Sequence, residues 1–481
     1  MKKRFAAQAV LLIILASFLL SSCGIIIINT PGSETSNALD VTSEIVSTTD
    51  STSDTTTNNY EKYVSPEYEK QSMEELKSLP DADMGSRSVF LASVTETGSF
   101  FDEDGETVSA SVYRRNRAVE QKFGVLILSI NENLETVREN MRKAQKSKDL
   151  YTDIAIIPQR CVGEFNSSGL LGNIRMLPYF SENYVGIDKE ATSQLSFGGK
   201  LYGVIGNATK NPEKTTVVFV NTTLSKEACA EISHNDMMSG GFTIEKLAEA
   251  SKLSRISVDA DALPDVYTSL YFSEGGYYTS DNKTLSYSSF ANDIVSNISA
   301  LRKSFSTDYS DGQDKTSGFD VFSHGNSLFA ISTLDRAAEL GTCGFMWDFF
   351  PLPKLDDSQD DYVSVMSFDA PVMTVSTFTN NIDAMSYTMN GLNAASYGFI
   401  AQEYGEYLQN NFVTSSQTLD SFDLIYSLSV KYDTAVMFRS VSSVKAATED
   451  SLESSILTGS AFVSESKKYM SKYNSALKGL N

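Results

Sequence analysis

Between Gly124 and Ile157 the chain reads as strand, helix, strand, and this order restricts the fold more than any other feature. Gly124 to Ile130 (GVLILSI) is a continuous apolar run of strand length. From Leu134 to Lys148, the residues Leu134, Val137, Met141 and Ala144 recur at helical spacing on one face. Asp153 to Ile157 (DIAII) is a second apolar strand, closed by Pro158. Two strands joined through an amphipathic helix run parallel, because the crossover returns the chain to the same end of the sheet. A parallel sheet is covered on both faces, so the predicted class is α/β. Ligands of such sheets bind beyond the carboxyl ends of the strands. Gln159 and Arg160 follow the second strand directly, either as binding residues or as part of an exposed loop.

The flanking segments extend this pattern. Ser88 to Thr97 is a strand candidate, Asp104-Gly105 has hairpin-turn chemistry, and Arg114 to Phe123 is helical. Gly198 to Gly206 suggests a hairpin and Thr215 to Val220 a strand, while Thr243 opens a helix that carries Ile244, Leu247 and Ala248 on one face. Residues 265–290 are rich in aromatics and glycine, residues 319–340 run from a short loop into an apolar segment, and the pattern beyond Asn381 is mostly helical. There is no internal repeat, and no transmembrane pattern after residue 23.

The N-terminus is a different kind of sequence. Lys2, Lys3 and Arg4 precede an apolar run over residues 5–20, then Leu20-Ser21-Ser22-Cys23. The run suits a signal-peptide core and is short for a membrane span. The small residues before Cys23 fit a lipoprotein signal, in which the thiol is acylated and the cysteine becomes the new N-terminus. A plain secretory signal and an uncleaved anchor helix are the other readings. The lipoprotein reading places the chain on the outer face of a cell membrane, held by lipid. Residues 24–65 are then a tether. Apart from Ile25 to Ile28 they are mainly Ser, Thr, Asn and Asp, too polar to offset the entropy of folding. As a flexible coil they span on the order of 35 Å. The remaining chain, about 415 residues, suits two domains.

Composition excludes more than it proposes. A formal charge of −22 argues against nucleic acid. Beyond Cys23 the cysteines are Cys161, Cys229 and Cys343, read as buried thiols or as one disulfide of unassigned pairing plus a thiol, with no metal-like spacing. The only histidines, His234 and His324, lie in polar loop-like runs and in no catalytic motif. No cofactor or metal is expected, and no enzymatic activity.

The order of segments resembles the extracellular solute-binding proteins of ABC importers, family 1, in the form found among clostridial lipoproteins. The resemblance covers roughly residues 85–481. It rests on Asp149 to Pro158 (DLYTDIAIIP), Leu177-Pro178-Tyr179, Gly199-Lys200-Leu201-Tyr202, Val218 to Thr222, Gly240 to Thr243 and Asn326 to Leu334. The sharpest piece is Phe350-Pro351-Leu352-Pro353-Lys354 followed by Gln359 and Tyr362. Phe242 stands where the family usually has Trp, and the tryptophan pair after the Pro178-Tyr179 segment is missing.

The resemblance implies a bilobal periplasmic-binding-protein-like fold of type II, with two α/β lobes joined by crossing strands and solute held between them. Lobe 1 would be 85–215 plus 371–405, and lobe 2 would be 216–370 plus 406–481, with crossings near Thr215 to Asn221 and Ser364 to Pro371. Transferred by segment, the cleft residues are Gln159, Arg160 and Asn207 in lobe 1, Phe272, Tyr277, Tyr278, Ser332 and Arg336 in lobe 2, and Asp369 near the second crossing. Rings for apolar sugar faces and planar polar groups for hydroxyls suit a carbohydrate. The implied partners are a small-molecule solute, a sugar or oligosaccharide, and the permease subunits of an ABC transporter. The missing tryptophans motivate a second reading, a surface interaction or scaffold lipoprotein that kept the fold and lost transport.

Overall fold

The computed structural model describes residues 66–97, 109–209, 211–228, 232–279, 281, 284–307, 309–310, 315–411 and 415–479. The signal segment with Cys23, the tether, the Asp104-Gly105 turn and Cys229 lie outside the described residues.

Helix α1 (Pro66–Ser78) leads to β1 (Arg87–Val94), and α2 (Ser109–Phe123), β2 (Val125–Glu132), α3 (Leu134–Ser147) and β3 (Ile154–Pro158) follow. Strand β1 is parallel to both β2 and β3, with Arg87 opposite Val125 and Leu91 opposite Ile154. The predicted strand–helix–strand unit is therefore present. Helix α3 starts where the Asn133 side chain accepts from the Thr136 amide at 2.9 Å, satisfying a donor the first turn leaves open. It stops at Lys148, which takes a left-handed conformation (φ 55°). Leu134, Val137 and Met141 form its buried face, and all of β3 is buried, which explains its unbroken apolar run.

The second sheet begins with β4 (Thr216–Asn221). The chain then adds α4 (His234–Met238), β5 (Ile256–Ser257), α5 (Leu263–Ser273), α6 (Ala291–Leu301), β6 (Phe305–Ser306), β7 (Phe329–Thr333) and β8 (Trp347–Pro351). The strand order is β8-β4-β7-β5-β6. Strand β4 is antiparallel to β7 and β8, whereas β5 is parallel to β7 and β6. The carboxyl ends of β5 to β8 therefore gather at the end of the sheet where β4 starts. Phe242, in place of the family's usual Trp, is fully buried and packs edge-to-face on Phe350 at 5.4 Å, so that departure lies in the core.

The two sheets are joined where Thr215 bridges Met366 in antiparallel fashion and the Ser367 amide donates to the Lys214 carbonyl at 2.6 Å. Strand β9 (Ser364–Val365) precedes this contact. Strand β10 (Pro371–Val375) then re-enters the first sheet, antiparallel to β3 with Pro371 opposite Pro158, giving the order β10-β3-β1-β2. Helix α7 (Ile382–Asn411) packs on α1 and α2. A Cβ at Gly391 would come within 2.7 Å of the Phe123 ring, so glycine is what allows this approach. Helix α8 (Ser416–Ser427) lies on β8, and β11 (Val430–Lys431) runs parallel to β9. The sequence reading put the return to lobe 2 at 405–406 and did not mark this segment, because two residues of strand are too short for a hydrophobic period. Helix α9 (Thr434–Met437) follows, and α10 (Glu449–Thr458) packs on α6. Among the described residues, no helix is long and apolar enough to cross a membrane.

Candidate functional site

Side chains from both lobes meet at the crossing. Strand β3 ends at Pro158 and the chain turns at once into a short 3-10 turn, Gln159–Cys161. The turn is held by the returning segment: the Gln159 amide donates to the Ala370 carbonyl at 3.0 Å and the Arg160 amide to the Phe368 carbonyl at 3.1 Å. Arg160 is thereby aimed at Asp369, with Nε 2.6 Å from Oδ1. Both side chains remain partly exposed, at 35% and 42%. Burial opposes the Arg160 charge, but Asp369 outweighs it and holds the guanidinium above the ordinary arginine value.

Arg439 and Asp265 stand next to this pair. Arg439 lies over the Phe368 ring at 4.4 Å, and its Nη2 is 2.9 Å from Asp265 Oδ1 at the start of α5. It also pairs with Glu449, which is buried at the start of α10. Burial works against the Arg439 charge, and Glu449 and Asp265 together outweigh it and raise its pKa. The same end of the second sheet carries two more pairs. Lys214 Nζ is 3.0 Å from Asp335 Oδ2, and Arg336 Nη1 is 2.9 Å from Asp259 Oδ2. The cations Arg160, Lys214, Arg336 and Arg439 are thus each already matched by a carboxylate. The side chains of Asp265 and Asp369 stay partly exposed at this end, at 46% and 42%, and burial nevertheless raises the Asp265 pKa above the ordinary aspartate value.

Among the residues expected in the site, the structure brings Arg160 and Asp369 together. Gln159 is not free to meet solute: it is 2% exposed, and its Nε2 donates to the Ser367 carbonyl at 2.9 Å. Phe272 and Tyr278 are core side chains. They face each other at 5.4 Å, Tyr278 stacks on Tyr271 at 5.3 Å, and both are almost wholly buried. A run of aromatics on a helix and the turn after it packs inward, because burying ring area is worth more than leaving it at a polar rim. Tyr277 is half-buried, and its carbonyl accepts from the Tyr271 hydroxyl at 3.1 Å. Ser332 is half-buried in β7 opposite Val217. Arg336 lies over the Phe319 ring at 4.4 Å and also pairs with Glu339. Asn207 lines a cavity of about 250 Å³ with Asp188, Met366, Val430 and Tyr432, and neither Arg160 nor Asp369 lines that cavity.

Arg439, Asp265 and Glu449 escaped the sequence reading. Nothing local marks them, since they reach Phe368 and Arg160 only through the fold. Lys214 had a weaker signal, the position just before a predicted strand at a predicted crossing. Of the three cysteines beyond Cys23, Cys161 and Cys343 are free thiols, and burial pushes the Cys161 thiol up to about 11.

A second, larger cavity of about 650 Å³ opens at the far end of β4, lined by residues that include Asn221, His324, Glu339 and Phe345.

No family model and no curated protein sequence matches the chain. Solved structures do. The cyclic α-maltosyl-1,6-maltose binding protein from Arthrobacter globiformis superposes with a TM-score of 0.55 at 14% identity, over 82% of this chain and 100% of that one. The galacto-N-biose/lacto-N-biose I-binding protein of the ABC transporter from Bifidobacterium longum gives 0.55 at 12% identity, over 83% and 98%. The sugar-binding protein MalE from Xanthomonas citri gives 0.53 at 12% identity, over 81% and 97%. The chain has the bilobal, periplasmic-binding-protein-like fold of ABC-transporter sugar-binding proteins. The likeness is one of fold, and the residues at the crossing are this chain's own.

Proposed function

We propose that this protein is a lipid-anchored extracellular solute-binding protein that captures a carbohydrate between its lobes for delivery to the permeases of an ABC importer. The observation that carries this reading is the meeting of Arg160, Asp369, Arg439 and Asp265 where the lobes join. These are planar, hydrogen-bonding groups contributed by both lobes and by the segment between them. Such an arrangement lets a bound solute favour one relative position of the lobes, which is what closure by ligand requires. The neighbours that share the fold are binding proteins, and the chain's cluster of paired charges offers no activated nucleophile, so the reading is capture rather than turnover. Because the cations are already paired with carboxylates and the Asp265 and Asp369 side chains stay partly exposed, the solute is a neutral or amino-bearing saccharide. An acidic sugar would meet the exposed carboxylates of Asp369 and Asp265.

The test is calorimetric titration of the full-length protein with neutral oligosaccharides, amino sugars and uronic acids, with product analysis of each mixture. Binding of a neutral or amino-bearing saccharide without turnover supports the reading. Selective uptake of uronic acids overturns the charge argument, and turnover overturns capture. Cys23→Ala should release the protein from membranes; retention would remove the lipid anchor.

The scaffold reading keeps one observation in its favour. Phe272 and Tyr278 lie in the core, and the Phe368 ring is covered by Arg439, so these rings offer no open stacking platform. Absence of binding to every saccharide in the titration would favour it.

A further inference from the structure

A polar cluster remote from the Arg160 site sits under α8. His234 is the first residue of α4, preceded by Ser233 in a capping box with Asp236. Its Nδ1 is 3.0 Å from Asp348 Oδ2 on β8, and its Nε2 is 3.8 Å from Asp420 Oδ2 on α8. Ser421 Oγ, also on α8, donates to Asp348 Oδ1 at 2.8 Å and lies 3.4 Å from His234 Nδ1. Asp348 is 2% exposed.

These residue types suggest a hydrolytic triad, but the order is wrong. A nucleophilic serine must hand its proton to the imidazole. Here the serine donates to the aspartate, and the imidazole nitrogen beside it is the one already bound to that aspartate. The cluster is an ion-pair centre. A buried Asp348 carboxylate needs a counter-charge, and the imidazolium supplies it while reaching Asp420 on its other side. On α4 itself, Asp236 is occupied by Ser233 and lies 3.8 Å from Lys246 of the following helix.

The position of this centre gives it a consequence. Helix α8 rests on β8 and α4 and runs straight into β11, the third crossing segment. Beyond β11, the Tyr432 amide donates to Gln194 Oε1 at 2.8 Å and Thr434 Oγ1 to the Gln194 carbonyl at 2.9 Å, so this stretch is gripped by lobe 1. Whatever seats α8 on lobe 2 therefore anchors one connection between the lobes.

We propose that His234 is a proton-operated clasp: its imidazolium form bridges Asp348 and Asp420 and seats α8, and its neutral form withdraws the positive charge that both carboxylates face, so pH sets how firmly the third crossing is anchored. The hydrogen bond to Asp348 raises His234 above the ordinary histidine value against the effect of burial, and Asp420 adds to it. A raised histidine contributes stability that is fully present below about 6.5 and is lost as pH rises through the folded value. Any effect on solute release rests on the solute-binding reading; the clasp itself does not.

The chain's two histidines make the test direct. Imidazole resonances of the full-length protein are titrated by NMR, and amide exchange over residues 416–431 is followed at pH 6 and at pH 8.5, corrected for intrinsic rates. The clasp requires His234 to titrate above about 6.5. It also requires protection of 416–431 to fall several-fold at the higher pH. His234→Gln should abolish that pH dependence. Asp420→Asn, at a partly exposed position, should weaken it without unfolding the chain. A His234 midpoint at or below the ordinary value overturns the proposal, as does equal protection of 416–431 at both pH values in the unmodified protein. Because no ligand is involved, these outcomes are independent of whether the protein binds a sugar.

Discussion

Arg160 Nε lies 2.6 Å from Asp369 Oδ1, a pair that joins the end of β3 to the segment returning to the same sheet 209 residues later. It ties one lobe to the connection between lobes while staying partly open to solvent. Arg160→Ala should therefore change stability by no more than about 1 kcal/mol, as expected for a half-exposed ion pair. Saccharide affinity should fall by about tenfold, the loss of one hydrogen bond to a charged group. Gln159→Ala should behave in the opposite way. Its buried amide braces the Ser367 carbonyl, so it should cost about 1–2 kcal/mol in denaturant unfolding with little specific effect on binding. Equal effects of the two substitutions on affinity would show that Arg160 does not face the solute.

The aromatic cluster of lobe 2 should report on folding. Tyr278→Ala and Phe272→Ala each open a cavity among Tyr271, Phe272, Tyr278 and Phe462 and should cost about 3–5 kcal/mol. Chemical denaturation measures this directly. A variant of normal stability and lost affinity would place the ring in the cleft.

Gly163 marks how closely lobe 1 meets the segment after β11. A Cβ there would stand 2.6 Å from the Met437 carbonyl oxygen and from a ring atom of Phe438. Phe438 in turn packs on Phe197 at 5.7 Å. Gly163→Val should cost about 1–3 kcal/mol through overpacking. It should also enlarge the radius of gyration measured by X-ray scattering, because the wedge acts between lobe 1 and a segment tied to lobe 2 through Asp433, whose Oδ2 accepts from the Tyr278 amide at 2.9 Å. An unchanged radius with reduced stability would confine the effect to local packing.

Glu274 gives a pH dependence of the same sign as His234 but from a different cause and beginning at lower pH. It is 2% exposed just past the end of α5, and burial raises its pKa well above the ordinary glutamate value, with Asn297 alone acting against it. A raised acid costs nothing while both states are protonated. As pH rises above about 4.3 the unfolded chain ionises first, and stability is lost until the folded value is passed. Glu274→Gln should flatten this slope and raise stability near neutral pH by about 1 kcal/mol or more. The check is unfolding free energy against pH for both proteins. Parallel curves would mean that Glu274 is ionised in the folded state.

Local sequence determined the elements of the first lobe. The apolar runs that became β1, β2 and β3, and the helical spacing of Leu134, Val137 and Met141, carry their own partners, because a crossover unit is closed by residues near one another in the chain. The pairing of Thr215 with Met366 falls in the segments expected to cross, and Arg160 and Asp369 were each legible as positions beside a strand end or a crossing. Tertiary structure alone decided what those positions face. Arg439, Asp265 and Glu449 reach the site because α5, α10 and the stretch after β11 fold onto one another, and no local period encodes that meeting. The same holds for Phe272 and Tyr278, whose composition fits a sugar platform or a core equally well. The gain from burying ring area, settled only once Phe462 closes over them, made them core. His234 reads locally as a residue in a polar run, and it becomes a half-buried partner of Asp348 and Asp420 only because α8 returns to cover it from 187 residues further along the chain.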